Sequence, residues 1–182
     1  MNSIGSWNAT LMDYSRLVVC ECPRCGAPAH IEANSEYSIP WRPSFVNFHC
    51  SACAHNPSWS MGAGCSSFIA YDPSSGLEPY FGFKLLLQES VRGKNLVAFN
   101  LAHATDILHY TRELNRPSPE NSKWAMVSRL PAWAKSAKNR PAISKALKRI
   151  IRKAGALGPN KSLNSTSAAA PSPSDAPNRR AG

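Results

Sequence analysis

The stretch Cys22-Pro23-Arg24-Cys25-Gly26 and, after 24 intervening residues, the stretch Cys50-Ser51-Ala52-Cys53 decide the fold of this chain. Two residues between paired cysteines let a tight turn place both sulfurs on one tetrahedral ion, at Zn–S distances of about 2.3 Å. Two such turns supply four thiolates, the ligand set of a closed structural zinc site. The spacing therefore predicts a zinc ribbon holding one structural Zn²⁺ through Cys22, Cys25, Cys50 and Cys53.

The other cysteines and the nearby histidines are weaker ligand candidates. Cys20 would share a strand face with Cys22 and is an alternative ligand, but it lacks the two-residue spacing. Cys65 is interpreted as a small buried residue, and His49 should point away from a metal bound at Cys50. A redox Cys-x-x-Cys normally occurs once, at a helix start in a βαβ unit, so two pairs favour metal.

Strand-like sequences flank the cysteine pairs. Residues 16–22 and 29–33 are predicted as the first ribbon hairpin, and residues 44–49 as a strand that leads into the second pair. Residues 81–88 and 96–99, with a turn at 92–95, predict a second hairpin that could extend the ribbon sheet.

Helical patterns dominate the second half of the chain. Asn100 is a suitable N-cap for a helix over residues 101–114 that should cover the sheet, with His103 and His109 at its surface or as caps. Short helical segments are expected over 121–130 and 132–138. A final helix should start at Pro141 and end at a Gly155 C-cap. Its apolar stripe comprises Ile143, Leu147, Ile150 and Ile151.

Charge is distributed unevenly along the chain. Residues 1–120 carry eight Lys or Arg against ten Asp or Glu, whereas residues 121–182 carry thirteen against one, a net charge of +12. No acidic residue occurs from Asn121 to Ser174, so this segment should attract a polyanion, most simply nucleic acid. The candidate phosphate contacts are Lys135, Lys138, Arg140, Lys145, Lys148, Arg149, Arg152 and Lys153.

These patterns predict an α+β protein of 182 residues. Its expected parts are a zinc ribbon of short antiparallel hairpins (14–70), a hairpin plus a covering helix packed on it (71–116), a basic helical module (117–155) and a disordered tail (156–182). No run of about 18 apolar residues and no secretory signal occurs, so a cytoplasmic protein without membrane contact is expected.

Three sets of residues carry a resemblance to a known family. The two cysteine knuckles, the stretch from Leu96 to Asn100 that leads into a helix, and the run Ser128-Arg129-Leu130-Pro131-Ala132-Trp133-Ala134-Lys135-Ser136-Ala137-Lys138-Asn139-Arg140 resemble a bacterial family of uncharacterised small zinc-ribbon proteins. Members are described by analogy as transcription-factor-IIB-type ribbons or as related to a replication-restart helicase. The resemblance covers about residues 17–150 and implies a ribbon without an assigned activity. Members carry Cys-Cys-Gly where this chain has Val91-Arg92-Gly93.

Two functions of different classes compete. In the first, the ribbon is a rigid platform and residues 123–153 bind phosphates of nucleic acid, with Trp124 and Trp133 expected as core anchors more than as base-stacking residues. In the second, the ribbon edge or the amphipathic helix docks the protein on a larger replication or transcription machine. An enzyme is not expected, because four thiolates close the metal site and no phosphate loop or catalytic motif is present.

Overall fold

The computed structural model describes residues 9–34, 41–60, 69–115 and 125–157. They form a four-stranded antiparallel sheet, a separate two-stranded hairpin and several helices, which confirms the α+β class. The strands are β1 (Leu17–Glu21), β2 (Pro28–Asn34), β3 (Phe45–His49), β4 (Ser58–Ser60), β5 (Gln88–Val91) and β6 (Lys94–Val97). The helices are α1 (Leu11–Tyr14), α2 (Leu101–Arg112), α3 (Met126–Arg129), α4 (Ala132–Lys135) and α5 (Arg140–Ala156).

The larger sheet is the ribbon, with strand order β1-β2-β3-β4 and antiparallel pairing throughout. Val18, Ile31 and Phe48 lie opposite one another on three successive strands and are all buried. Because side chains alternate between the faces of a strand, the neighbours of these three residues point to the outer face. The strand predictions at 16–22, 29–33 and 44–49 are confirmed.

The second hairpin differs from the sequence prediction. The predicted strand over 81–88 is wrong, since β5 begins only at Gln88, and β5 and β6 form their own sheet instead of extending the ribbon. At the start of this segment, the carboxylate of Glu78 accepts the backbone N–H groups of Tyr80 (2.6 Å), Phe81 (2.9 Å) and Phe83 (2.7 Å). Backbone donors held by a side chain cannot pair in a strand ladder, so these residues form a turn.

Backbone hydrogen bonds attach the ribbon to the rest of the chain along the free edge of β1. Glu21 N–H donates to the carbonyl of Lys84, and Val19 N–H donates to the carbonyl of Phe99, each at 2.8 Å. The outer edge of the sheet at β1 is therefore covered by the chain's own backbone.

Helix α2 starts where the sequence predicts. The Asn100 side chain accepts the His103 N–H (2.9 Å) and donates to the carbonyls of Tyr14 and Leu17, so the cap also fixes the entry to β1. His103 is buried, not at the surface. Its ring stacks on Tyr14 with centroids 4.7 Å apart, its Nδ1 accepts the Phe99 N–H, and burial lowers its pKa to about 3.

Helix α5 packs against α2 and β5. Ile143, Leu147 and Ile150 of the predicted apolar stripe are buried, and Ile151 is partly buried. Gly155 is not the C-cap, because the helix continues through Ala156. Among the described residues of the predicted helix over 121–130, only α3 is helical, and the predicted segment over 132–138 divides into α4 and a 3-10 turn.

One hydrophobic core takes side chains from the ribbon, the hairpin and both long helices. The predicted domain boundaries stay predictions, and residues 158–182 of the predicted tail lie outside the described residues. Within the described ranges, no helix has the length and apolar character to cross a membrane.

Replacing Glu78 with Ala should lower the free energy of unfolding by about 2 kcal/mol, because several part-buried N–H groups lose their acceptor. Urea unfolding of the metal-bound protein measures this loss. Glu113→Ala, an exposed carboxylate at the end of α2, is the control and should change stability by less than about 0.5 kcal/mol. Equal effects of both changes would contradict the role of Glu78.

Candidate metal centre and basic helix

The four cysteine sulfurs meet at one end of the ribbon sheet. The Sγ–Sγ distances are 3.6 Å for Cys22–Cys53, 3.7 Å for Cys25–Cys50 and 3.6 Å for Cys50–Cys53, and all four atoms lie within 4.8 Å of one another. A regular tetrahedron around an ion with bonds of about 2.3 Å has sulfur–sulfur edges of about 3.8 Å. The sulfurs are therefore spaced for a single tetrahedral ion, compatible with a zinc-binding ribbon.

The first knuckle is closed by two backbone hydrogen bonds. Cys22 N–H donates to the carbonyl of Ala27 and Gly26 N–H donates to the carbonyl of Cys22, each at 2.9 Å. Gly26 has a φ of 72°, in the left-handed region that glycine adopts without strain. The position directly after the second cysteine of the pair thus requires positive φ.

The second knuckle repeats this pattern with a different residue at the critical position. Cys50 N–H donates to the carbonyl of His55 (3.2 Å), and Ala54 N–H donates to the carbonyl of Cys50 (3.1 Å). Ala54 occupies the position of Gly26, and its φ is 54°. An L-residue with a Cβ is strained there by about 1 kcal/mol. The second knuckle therefore contains a left-handed backbone conformation that its alanine disfavours.

The thiols influence one another's ionisation. Burial opposes the Cys22 thiolate, but the N–H groups of Cys25 and Arg24 stabilise it and lower its pKa to about 7. At Cys53 the His55 N–H favours the thiolate, yet partial burial and the neighbouring thiols raise its pKa to about 12. The Cys22 thiol therefore ionises readily, and its negative charge opposes ionisation of the neighbouring thiols. A divalent cation supplies the charge that lets all four ionise.

Cys20 takes no part in this cluster. Cys20 is fully buried in the core, and desolvation raises its pKa well above the ordinary range, as expected of an inert thiol. Cys65 lies outside the described residues. His49 is exposed on the outer face of β3, beside the partly buried His30 of β2.

The basic residues of α5 divide into two groups. Lys145, Lys148 and Arg152 are exposed and follow one another at intervals of three and four residues, so they form one line opposite the buried stripe. Arg149 and Lys153 instead bond to residues outside α5. Arg149 Nε donates to Glu89 Oε2 (2.8 Å), and Lys153 Nζ donates to the carbonyl of Leu86 (2.7 Å).

The three predicted contacts before Pro141 also differ in their surroundings. Lys138 is exposed, whereas Lys135 Nζ lies 3.3 Å from the carbonyl of Ser128 and Arg140 is partly buried. Glu89 was not recognised from the sequence as a partner of the basic helix. Its partner Arg149 is 60 positions away in the sequence, so no local pattern could have revealed this ion pair.

Cys50→Ser should abolish binding of the one expected equivalent of metal and unfold the ribbon, because three thiolates leave the tetrahedral site incomplete. Elemental analysis and circular dichroism of purified protein measure both effects. Cys20→Ala is the matched control and should keep the metal, at a stability cost of about 1 kcal/mol. Full metal content in Cys50→Ser would refute the ligand assignment.

Removing the glycine from the first knuckle and introducing one into the second should change the stability of the protein in opposite directions. Gly26→Ala should destabilise the metal-bound protein by about 1 kcal/mol through backbone strain alone, since no atom lies within 4 Å of the added Cβ. Ala54→Gly should stabilise it by about 0.5 kcal/mol, because relief of strain exceeds the entropy cost of glycine. Urea unfolding measures both, and a shift of the same sign in both would contradict the strain.

No protein-family model, curated protein or solved structure matches this chain. The function proposed below is therefore inferred from the cysteine cluster and from the exposed line of cations on α5.

Proposed function

We propose that the chain is a structural zinc protein that binds nucleic acid, without sequence preference, through the exposed line formed by Lys145, Lys148 and Arg152. The position of these three cations, opposite the buried face of α5, is the observation that carries the proposal.

The ion proposed for the cysteine cluster is one Zn²⁺. Four soft thiolates in a tetrahedral arrangement select zinc or iron–sulfur centres, and the sulfur spacing of 3.6–3.7 Å suits a single ion more than a multi-iron cluster. Four protein ligands leave no open coordination position for substrate or water. The ion is therefore assigned a structural role, which makes the ribbon a rigid platform for the rest of the chain.

The helix α5 carries its cations at a cost to its own stability. Like charges three or four residues apart repel, as at Lys145 and Lys148, Lys148 and Arg152, and Arg149 and Lys153. Each such pair destabilises a helix by about 0.2–0.5 kcal/mol. Glu89 neutralises Arg149, whereas the α5 sequence provides no acidic residue for the exposed line. A bound polyanion would relieve this repulsion.

The number of exposed cations sets the expected salt dependence. With a rise of about 1.5 Å per residue, the line from Lys145 to Arg152 is about 10 Å long, enough to contact phosphates along one strand. Three phosphate contacts on duplex DNA give a slope of about −2.7 for log K against log salt, or about a 40-fold loss between about 50 and about 200 mM. Phosphate contacts carry no base information, so binding should be similar for unrelated sequences.

The decisive experiment compares two charge-reversed variants of equal composition. Lys148→Glu/Arg152→Glu should bind fluorescent DNA at least tenfold more weakly than wild type at about 50 mM salt, and its slope should fall by about 1.8. Lys94→Glu/Arg112→Glu changes one exposed Lys and one exposed Arg outside α5 and should retain most affinity. Anisotropy titrations against two unrelated oligonucleotides, with metal content as a folding check, provide the measurement.

Reversal of Arg149 or Lys153 is not a clean test, because Arg149 bonds α5 to Glu89 of β5 and Lys153 bonds it to the backbone of Leu86 just before β5. Deletion of residues 121–182 would expose the buried face of α2, including Ile107. Absence of DNA and RNA binding by the intact protein at low salt would overturn the proposal. The hypothesis of an adaptor that docks on a larger protein complex would then replace it.

A further inference from the structure

A cavity of about 420 Å³ lies between the second hairpin, the start of α2 and the segment that contains α3 and α4. Its volume is within the range of about 300–1,000 Å³ that is usual for small-molecule sites. Most of its wall is apolar, and the apolar residues include Leu11, Leu96, Val97, Met126, Leu130 and Trp133. A wall of this kind favours the hydrocarbon part of a ligand, because binding removes apolar surface from water.

Hydrogen bonds fix two sides of this wall relative to the rest of the fold. Asn139 Nδ2 donates to the carbonyl of Trp133 (2.8 Å), and Asn139 Oδ1 accepts a hydrogen bond from Arg92 in the turn of the second hairpin (2.9 Å). Met126 N–H donates to the carbonyl of Ala9 (2.8 Å). The elements around the cavity are therefore bonded to one another, as is usual for a pre-formed site.

One polar side chain of the wall is buried and has an unused hydrogen-bond donor. His103 lines the cavity and is 3% exposed. Its Nδ1 accepts the Phe99 N–H at 3.1 Å, and burial lowers its pKa to about 3, so the neutral ring carries its proton on Nε2. Within the part of the chain that the structure describes, this Nε2–H donates to no acceptor. Because buried polar groups nearly always have a partner, His103 indicates a ligand with an acceptor atom.

The charged residues of the wall favour an anion. Lys94 and Arg129 are exposed cations, and Asp72 is the one carboxylate among the described residues that line the cavity. Both oxygens of Asp72 accept the Ser74 hydroxyl, and Oδ1 also accepts the Ser74 N–H (2.9 Å), so this carboxylate is occupied within its own turn. Two positive charges against one negative charge therefore attract an anionic ligand.

We propose that this cavity binds a small carboxylic acid with a mostly apolar body. The carboxylate accepts the Nε2–H of His103, and the apolar body contacts Met126 and Trp133. Lys94 and Arg129 attract the anion to the site. The exposed line of cations on α5 does not border the cavity, so this binding is independent of the proposed nucleic-acid binding.

Calorimetric titration of sodium 2-naphthoate into the full metal-bound chain tests the proposal. Wild type should show saturable binding of one equivalent, and 2-naphthamide, which has the same body without the charge, should bind at least fivefold more weakly. His103→Asn should weaken binding of 2-naphthoate at least tenfold. The asparagine oxygen can replace Nδ1 as the acceptor of the Phe99 N–H, whereas nothing replaces the Nε2–H.

Two further variants test the site without changing His103. Lys94→Gln should weaken 2-naphthoate binding about threefold through loss of charge, and Arg112→Gln, an exposed cation outside the wall, is the control and should bind as wild type does. Leu130→Trp should weaken it at least tenfold, because the larger side chain takes up cavity volume. Lys148→Glu/Arg152→Glu should retain 2-naphthoate binding, which separates this site from the proposed nucleic-acid surface.

Side-chain nitrogen spectra of the histidines locate the bound carboxylate. Addition of 2-naphthoate should shift the Nε2 resonance of His103 and leave those of the exposed His109 unchanged. Metal content and the circular dichroism spectrum show whether each variant is folded. Absence of saturable binding to wild type, equal binding of the amide, or full affinity in Leu130→Trp together with an unshifted His103 resonance would overturn the proposal.

Discussion

The convergence of four cysteine sulfurs is the constraint on which the ribbon depends. The first knuckle joins β1 to β2 and the second follows β3, so one ion connects the turns of a sheet whose strands have at most seven residues. Thiolates at this spacing repel one another, so a bound cation favours their ionisation, and the free energy of metal binding then contributes to the free energy of folding. The strain at Ala54 is tolerated because the cysteines that precede it are fixed in place when they bind the metal, and this fixes the turn.

Buried and partly buried polar groups connect the sheet that carries the cysteine cluster to the helical half. Glu78 holds a turn by accepting several backbone N–H groups, and Asn100 caps α2 while bonding to the chain on both sides of Ser15. His103 remains neutral between Tyr14 and Phe99. No pattern in the sequence predicts which partners these groups bond to, yet each group fixes a junction that apolar packing alone would leave variable.

Prediction from sequence succeeded where local chemistry decides the structure. The Cys-x-x-Cys spacing defined the cluster, alternation located the ribbon strands, and the cap and stripe located α2 and α5. It failed where a distant or unusual contact decides. Residues 81–88 have strand-like composition, but the Glu78 carboxylate accepts the backbone N–H groups of Phe81 and Phe83 and turns the start of the segment away from a strand. Likewise, the pairing of Arg149 with Glu89 depends on how α5 packs, which composition does not reveal.

The division of the basic residues on α5 limits what the helix can recognise. A net charge of +12 over residues 121–182 suggests a large electrostatic surface, but Arg149 bonds to Glu89 of β5 and Lys153 to the carbonyl of Leu86, so both attach α5 to the rest of the fold. Three exposed cations on one line can follow a phosphate backbone, because a phosphate contact needs only a positive charge within reach. With so few contacts, the proposed affinity is modest and set by ionic strength.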